Sequence, residues 1–152
     1  MSAQNEALEV AESLCKQFEG FSGVPYVCPA GMATIGYGTV FKPDGSKVSL
    51  DHPAITKETA EEWLRQSILY YMVAVIKLSP ILLKYPQKLG AITSFAYNLG
   101  TARYKASTLR TRVNEENWPD AVTELHTWRR GAGKILPGLV RRRAAEAKFI
   151  QM

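Results

Sequence analysis

Only two cysteines and two histidines occur in 152 residues. Cys15 and Cys28 do not form a Cys-x-x-Cys pair, and His52 and His126 lie far apart in sequence, so no zinc pattern emerges. Neither a metal nor any other cofactor is expected. Two cysteines are also too few for a disulfide framework, and the plain expectation is two free thiols in a reducing compartment. No stretch approaches the ~18 consecutive apolar residues that would read as a membrane span. The first dozen residues carry Glu6, Glu9 and Glu12 but no Lys or Arg. They lack the basic start and apolar centre of a secretion signal. The chain is therefore expected to be made and kept in a cytoplasm, and to need another agent to reach anything outside the membrane. A glycine-rich phosphate loop, His-Glu-x-x-His and Gly-x-Ser-x-Gly are missing as well, and there is no internal repeat.

What remains is an ordered globular composition, 46% apolar with mixed charge, in a length that suits one domain, with room for two lobes. The net charge is +5, which favours an anionic partner: nucleic acid, acidic lipid or an acidic wall polymer. No recognised nucleic-acid-binding module accompanies the charge, so nucleic acid is not the expected partner.

Residues 5–19 read as a helix, with Leu8, Ala11, Leu14, Cys15 and Phe18 on one face and Gly20 as its cap. Glu19 then lies at the helix end, where the negative pole of the dipole tends to raise a carboxyl pKa and suit it to general-acid work. From Val24 to Phe41, Gly and Pro break any helix while β-branched and aromatic residues favour strands. The spacing predicts a small antiparallel sheet with a turn at Ala30-Gly31-Met32, which sets Cys28 directly opposite Thr34 on the same face. Tyr26, Tyr37 and Phe41 interleave with small residues there and could stack on bases or sugar rings.

Lys42 to Pro53 reads as a polar loop. Thr56 or Thr59 then opens a long helix, with Thr59-Ala-Glu-Glu62 in the form of a capping box and Pro80 as its stop. Gln87–Leu99 should be the central helix of a second, all-helical lobe. Shorter helices are expected over Ser107–Asn114 and from Trp118-Pro119, with loops at Gly131–Gly133 and Leu136–Gly138. A final helix should run from Gly138 to Ile150. It carries Arg141, Arg142 and Arg143, whose side chains point about 100° apart, so that one is expected to turn inward toward a buried acid.

Taken in order, Phe18-Glu19-Gly20-Phe21, Tyr26, Gly31 and Thr34-Ile35-Gly36-Tyr37-Gly38 resemble the first lobe of the phage-type lysozymes, glycoside hydrolase family 24. Leu89 through Gly100, Ser107-Thr108-Leu109, Trp118 through Ala121, Trp128 and Pro137 through Glu146 resemble its second lobe. The resemblance covers nearly the whole chain. It implies an α+β, mainly helical, lysozyme-like fold in a single domain spanning 1–152. A lobe of about residues 1–55 would hold a β-hairpin, a helix at 56–79 would connect, an all-helical lobe would span 80–152, and a cleft would lie between the lobes.

The resemblance assigns the family's acid, its Asp or Cys nine residues later and its Thr six further on to Glu19, Cys28 and Thr34. Glu19 would protonate the leaving oxygen of the β-1,4 bond between N-acetylmuramic acid and N-acetylglucosamine. Cys28 and Thr34 would place and activate water on the opposite face, giving inversion, with Cys28 a partial thiolate base or a water-holder. Asn98, Tyr37 and Arg142 are the expected substrate contacts, Arg142 also as a partner for Glu19. The implied partner is peptidoglycan. The implied setting is an endolysin-type monomer, stored in the host cytoplasm and released onto the wall through a holin-like lesion. Lytic transglycosylase action on the same bond, or non-catalytic wall binding, are the alternatives. Cys15, four residues before Glu19, is expected to be a buried thiol, the alternative being a Cys15–Cys28 disulfide latch. One departure stands out: many family members carry His after Gly-Tyr-Gly, and this chain has Thr39.

Overall fold

A computed structural model describes residues 2–152. The first helix, α1 (Ala3–Glu19), starts at Ser2, whose side chain accepts from the Asn5 amide at 3.1 Å. It buries Ala7, Ala11, Leu14 and Cys15. At Gly20 the backbone swings to φ 71°, a conformation that costs glycine little, and the helix stops with Glu19 as its last residue.

Strands β1 (Ser22–Val27) and β2 (Ala33–Gly36) follow as an antiparallel pair. Their register differs from the one expected. Tyr26 faces Thr34 and Val27 faces Ala33, so Cys28 pairs with Met32 and not with Thr34. The turn is Pro29-Ala30-Gly31, one residue earlier than expected, closed by the Gly31 amide on the Cys28 carbonyl at 2.8 Å. Proline lacks the N–H a ladder position would need, and Gly31 takes φ 83°, so both fit the turn and not the strands. The shift is two residues in pairing, which preserves faces. Cys28 and Thr34 therefore still share one face, as diagonal neighbours. Val40 and Phe41 lie outside the sheet; Phe41 makes an isolated bridge to Lys47.

The long helix α2 (Lys57–Leu78) is capped by Thr56, whose hydroxyl accepts from the Thr59 amide at 3.1 Å. The expected capping box at Thr59–Glu62 thus lies inside the helix. Its 22 residues span roughly 33 Å at 1.5 Å per residue, with Ala60, Leu64, Ile68, Met72 and Val75 inward. A 3-10 turn (Pro80–Lys84) leads to α3 (Pro86–Leu99), in which every residue from Lys88 to Ala96 is buried. This helix is enclosed because α1, α2 and α7 all pack on it. The remaining helices are α4 (Thr101–Ala106), α5 (Thr108–Asn114), α6 (Trp118–His126) and α7 (Pro137–Ile150). The stretch expected as a loop at Gly131–Gly133 is the tip of a two-residue ribbon, β3 (Arg130–Gly131) against β4 (Lys134–Ile135).

The closest packing in the core is α1 on α3. A Cβ added at Gly90 would sit 2.7 Å from the Ala7 carbonyl oxygen and 2.6 Å from Val10 Cβ. Backbone on one side leaves little room to relax. Gly90→Ala is expected to lower stability by about 1–3 kcal/mol despite alanine's better helix propensity. Thermal unfolding of the variant checks this, and an unchanged or raised Tm would show that the two helices separate easily.

Candidate active site

Because α1 ends at Glu19, its carboxylate projects from the helix terminus into a cleft. One oxygen, Oε2, accepts from Arg142 Nη1 on α7 at 2.6 Å. The other, Oε1, lies against Gly38, where an added Cβ would stand 2.7 Å from it. Gly38 also has φ 78°. Gly38→Ala therefore meets two obstacles: a left-handed backbone costing about 1–2 kcal/mol and a direct collision with the carboxylate. Activity is expected to fall at least tenfold while the protein stays folded at room temperature. Parallel measurements of activity and Tm would test this, and unchanged activity would show that Glu19 Oε1 needs no fixed seat.

Behind Glu19 lies a buried ionic cluster. The Arg142 side chain is only 3% exposed. Its Nη2 donates to the Ser94 carbonyl at 3.3 Å, to Ser94 Oγ at 3.2 Å and to Cys15 Sγ at 3.5 Å. Glu146, wholly buried, accepts from Ser94 Oγ at 2.6 Å and from Arg143 Nη2 at 3.1 Å, and its Oε2 lies 3.5 Å from Arg142 Nε. Its other oxygen is 2.7 Å from Arg143 Nε. Burial works against the Arg142 charge, but Cys15, Glu19 and Glu146 around it more than reverse this, and its pKa ends above the ordinary value. Burial pushes the Cys15 thiol up to about 12. Cys15 is thus an inert core thiol, and both cysteines are free. The alternative of a Cys15–Cys28 latch is not what this structure contains.

Across the cleft, Cys28 and Thr34 present the hairpin side. Hydrogen bonds from the Met32 backbone and then from the Thr34 hydroxyl hold the Cys28 thiol below the usual thiol range. Thr34 Oγ1 also lies 2.9 Å from the Met32 carbonyl. With one proton to give, it can donate to that carbonyl or turn to the sulfur.

Two hollows meet at Glu19 and Asn98. The larger, about 970 Å³, is walled by Cys28, Thr34, Tyr26, Phe41 and Tyr70. The smaller, about 680 Å³, runs along α7 past Leu139, Arg141 and Lys148. Glu19, Cys28, Thr34 and Asn98 are thus gathered about one space. Two other expected contacts, Tyr37 and Arg142, are buried. Tyr37 is 4% exposed, with its ring against Phe21 at 5.5 Å and its carbonyl accepting from Tyr97 Oη at 2.8 Å. It is a core residue because Gly36, at φ 67°, turns the chain inward just before it. Arg142 is 2% exposed and pairs with Glu19, as expected of a partner for the acid.

Two arginines turn inward where one was expected, Arg142 and Arg143, because they share Glu146. Arg143, Ser94 and Glu146 were missed. The available signal was an acid three and four residues after the arginines on a helix with apolar neighbours. Thr39, at the position where His was looked for, is buried at the floor of the larger hollow. Its hydroxyl has no protein partner among the described residues.

Residues 16–146 match the model of the phage lysozyme family. The chain is 37% identical over 138 residues to the endolysin of Bacillus phage B103, covering 88% of this chain and 49% of that one. It is 33% identical over 145 residues to the endolysin of Acyrthosiphon pisum secondary endosymbiont phage 1, covering 91% and 92%. It thus spans about half the length of the Bacillus phage relatives, 49% and 50%, but nearly all of the endosymbiont phage protein. Among solved structures, the endolysin from Escherichia coli O157:H7 phage FAHEc1 superposes with a TM-score of 0.80 at 28% identity, covering 99% of this chain and 93% of that one. Sequence and fold agree along almost the whole length, and the chain belongs to the phage lysozyme family.

Proposed function

We propose that this chain is an endolysin-type muramidase, hydrolysing the β-1,4 bond between N-acetylmuramic acid and N-acetylglucosamine in peptidoglycan with inversion. One observation carries the reading. A carboxyl group, clamped on one oxygen by a buried arginine, shares with a sulfur and a hydroxyl the lining of one hollow of about 970 Å³. In the reaction, Glu19 gives its proton to the glycosidic oxygen as the bond to the anomeric carbon breaks, and the bonding pair stays on that oxygen. Water attacks the anomeric carbon from the opposite face. Its proton passes to Cys28 as thiolate, with Thr34 accepting the second hydrogen as a hydrogen bond and so fixing the water. Tyr26, Phe41 and Tyr70 on the walls offer flat apolar faces to sugar rings. The net charge of +5 draws the protein toward an anionic wall polymer, most strongly at low salt. As the resemblance implies, the chain acts as a monomer, stored in the host cytoplasm and reaching the wall through a holin-like lesion.

Mass and NMR analysis of fragments released from purified sacculi tests the reading. Reducing ends, with inverted configuration in the first products, support it. Fragments with 1,6-anhydro ends would replace hydrolysis by transglycosylation, and binding without release would reduce the protein to a wall-binding module. The role of Cys28 has its own signature. A thiolate base gives kcat/KM that climbs as pH rises through the thiol's lowered pKa. In Cys28→Asp that rise should move several pH units toward acid, to the carboxylate range near about 4, with activity retained at neutral pH. Collapse of the Asp variant at every pH would show that the sulfur does more than stand in for a carboxylate.

A further inference from the structure

From Leu125 to Ala145 the chain carries no Asp or Glu. The part of this run that stands clear of the core is the β3–β4 ribbon and the first turn of α7. Arg129, Arg130, Lys134 and Arg141 are all exposed there, and none of them pairs with a carboxylate among the described residues. Three large apolar side chains lie among these cations. Ile135 is 48% exposed, Leu136 41% and Val140 39%. They are held close together: Ile135 and Leu136 are consecutive, and the Val140 amide donates to the Leu136 carbonyl at 3.1 Å, one helical turn on. The ribbon itself is tight. The Leu136 amide donates to the Arg129 carbonyl at 2.9 Å and closes its base, and the chain turns through Ala132 and Gly133 at φ 52° and 77°. Two consecutive left-handed residues make the shortest hairpin turn, and nothing larger than a methyl group stands at this tip. The Leu136 side chain lies across Gly131, where an added Cβ would stand 2.5 Å from Leu136 Cδ1. A surface built this way is ordered before any partner arrives.

We infer that the ribbon and the start of α7 form a docking surface for an anionic lipid bilayer. Charge alone would suit any polyanion. The apolar side chains decide among them. A soluble phosphate polymer or a nucleic-acid backbone gains nothing from Ile135 or Val140, whereas the boundary between headgroups and acyl chains takes cationic and apolar groups side by side. Arg130 and Lys134 flank the small tip, so they reach headgroup phosphates as Ile135 enters the boundary behind them. The patch is separate from the larger hollow that holds Cys28 and Thr34, and it borders the smaller one through Leu136 and Arg141. A protein docked through it is held at the membrane surface and released as salt screens the cations. The inference does not depend on the muramidase reading.

Cosedimentation of the whole chain with vesicles of equimolar phosphatidylglycerol and phosphatidylcholine tests this, beside vesicles of phosphatidylcholine alone. The parent should bind the anionic vesicles about tenfold more tightly or better at low salt, and let go at high salt. One cation near an anionic surface contributes roughly fivefold, so the double variant Arg130→Gln, Lys134→Gln should lose binding by on the order of 20-fold. Ile135→Asn, which leaves every charge in place, should lose about threefold or more. Ile135→Trp should still bind, and the emission it adds to the parent's should be quenched by brominated phospholipid. All three positions are exposed, so the variants should keep the parent's Tm and its clearing of lipid-free sacculi. Absence of binding to anionic vesicles by the folded parent overturns the inference. Equal binding by the parent and Ile135→Asn, or no quenching in Ile135→Trp, overturns it as well, and reduces the patch to a cationic surface for soluble polyanions. Loss of sacculus clearing in Ile135→Asn with vesicle binding intact would assign the patch to the wall instead. A parent inactive on sacculi would remove the muramidase reading and leave the vesicle result standing.

Discussion

Glu19→Gln should reduce the release of reducing ends from sacculi by about 10²–10⁴-fold, the usual contribution of a positioned general acid. The substitution is nearly isosteric. The glutamine oxygen can still accept from Arg142 Nη1, which leaves the NH₂ on the side toward Gly38, where Glu19 Oε1 now lies. No proton can be transferred from that position. The structural cost is small by comparison. An ion pair becomes a hydrogen bond from the charged guanidinium to a neutral amide oxygen, at a cost of about 1–3 kcal/mol, while Arg142 keeps its contacts to Ser94 and its proximity to Glu146. The measurement is clearing rate and product yield beside Tm. Full activity in the variant would remove Glu19 from the chemistry, whatever the family pattern suggests.

Glu146→Ala should produce the largest loss of stability among single changes in the cluster. Glu146 is fully buried and faces two guanidiniums, one of them fully buried and the other 3% exposed. Removing it leaves Arg143 with no carboxylate and Arg142 with Glu19 alone, and breaking a buried pair in this way costs about 3–5 kcal/mol. For a domain of this length that corresponds to a fall in Tm on the order of 10 °C. Ser94 Oγ would lose its acceptor as well. The same variant should lose activity even at temperatures where it is folded, since Arg142 and Arg143 would no longer be braced behind Glu19 and Asn98. A fall of less than about 2 °C would mean that the two arginines find water or other partners readily, and that the cluster is not the support described.

The parts of this molecule visible in its sequence are those that depend on local spacing. The apolar faces of α1 and α2, the stops at Gly20 and Pro80, and the position of Glu19 at a helix end all follow from periodicity and from the backbone limits of Gly and Pro. The hairpin was half legible. A turn at Ala30–Met32 and one at Pro29–Gly31 place Cys28 and Thr34 on the same face, so the side-chain pattern does not discriminate between them. Only the missing N–H of Pro29 does. The ionic cluster was legible only through Arg142. Charged residues on a helix ordinarily face water, and what turns Arg143 and Glu146 inward is their mutual pairing together with Ser94 from a helix some fifty positions away in sequence, a tertiary fact. Tyr37 was misjudged for a related reason. An aromatic among small strand residues has the same composition whether it faces a ligand or the core, and the direction depends on the turn made by Gly36.

Glu19, Ser94, Arg142 and Glu146 belong to α1, α3 and α7, three helices packed directly on one another. Cys28 and Thr34 belong to a two-stranded ribbon that leans instead on α2, where Gly36 approaches Ala60. On the proposed mechanism, the proton-donating half of the machinery is thus welded into the core, while the water-activating half is carried on an appendage. Substituting one ribbon for another, with a carboxylate in place of the sulfur, would exchange the means of activating water and leave the acid's seat intact. The architecture makes one half of the chemistry open to variation and the other resistant to it.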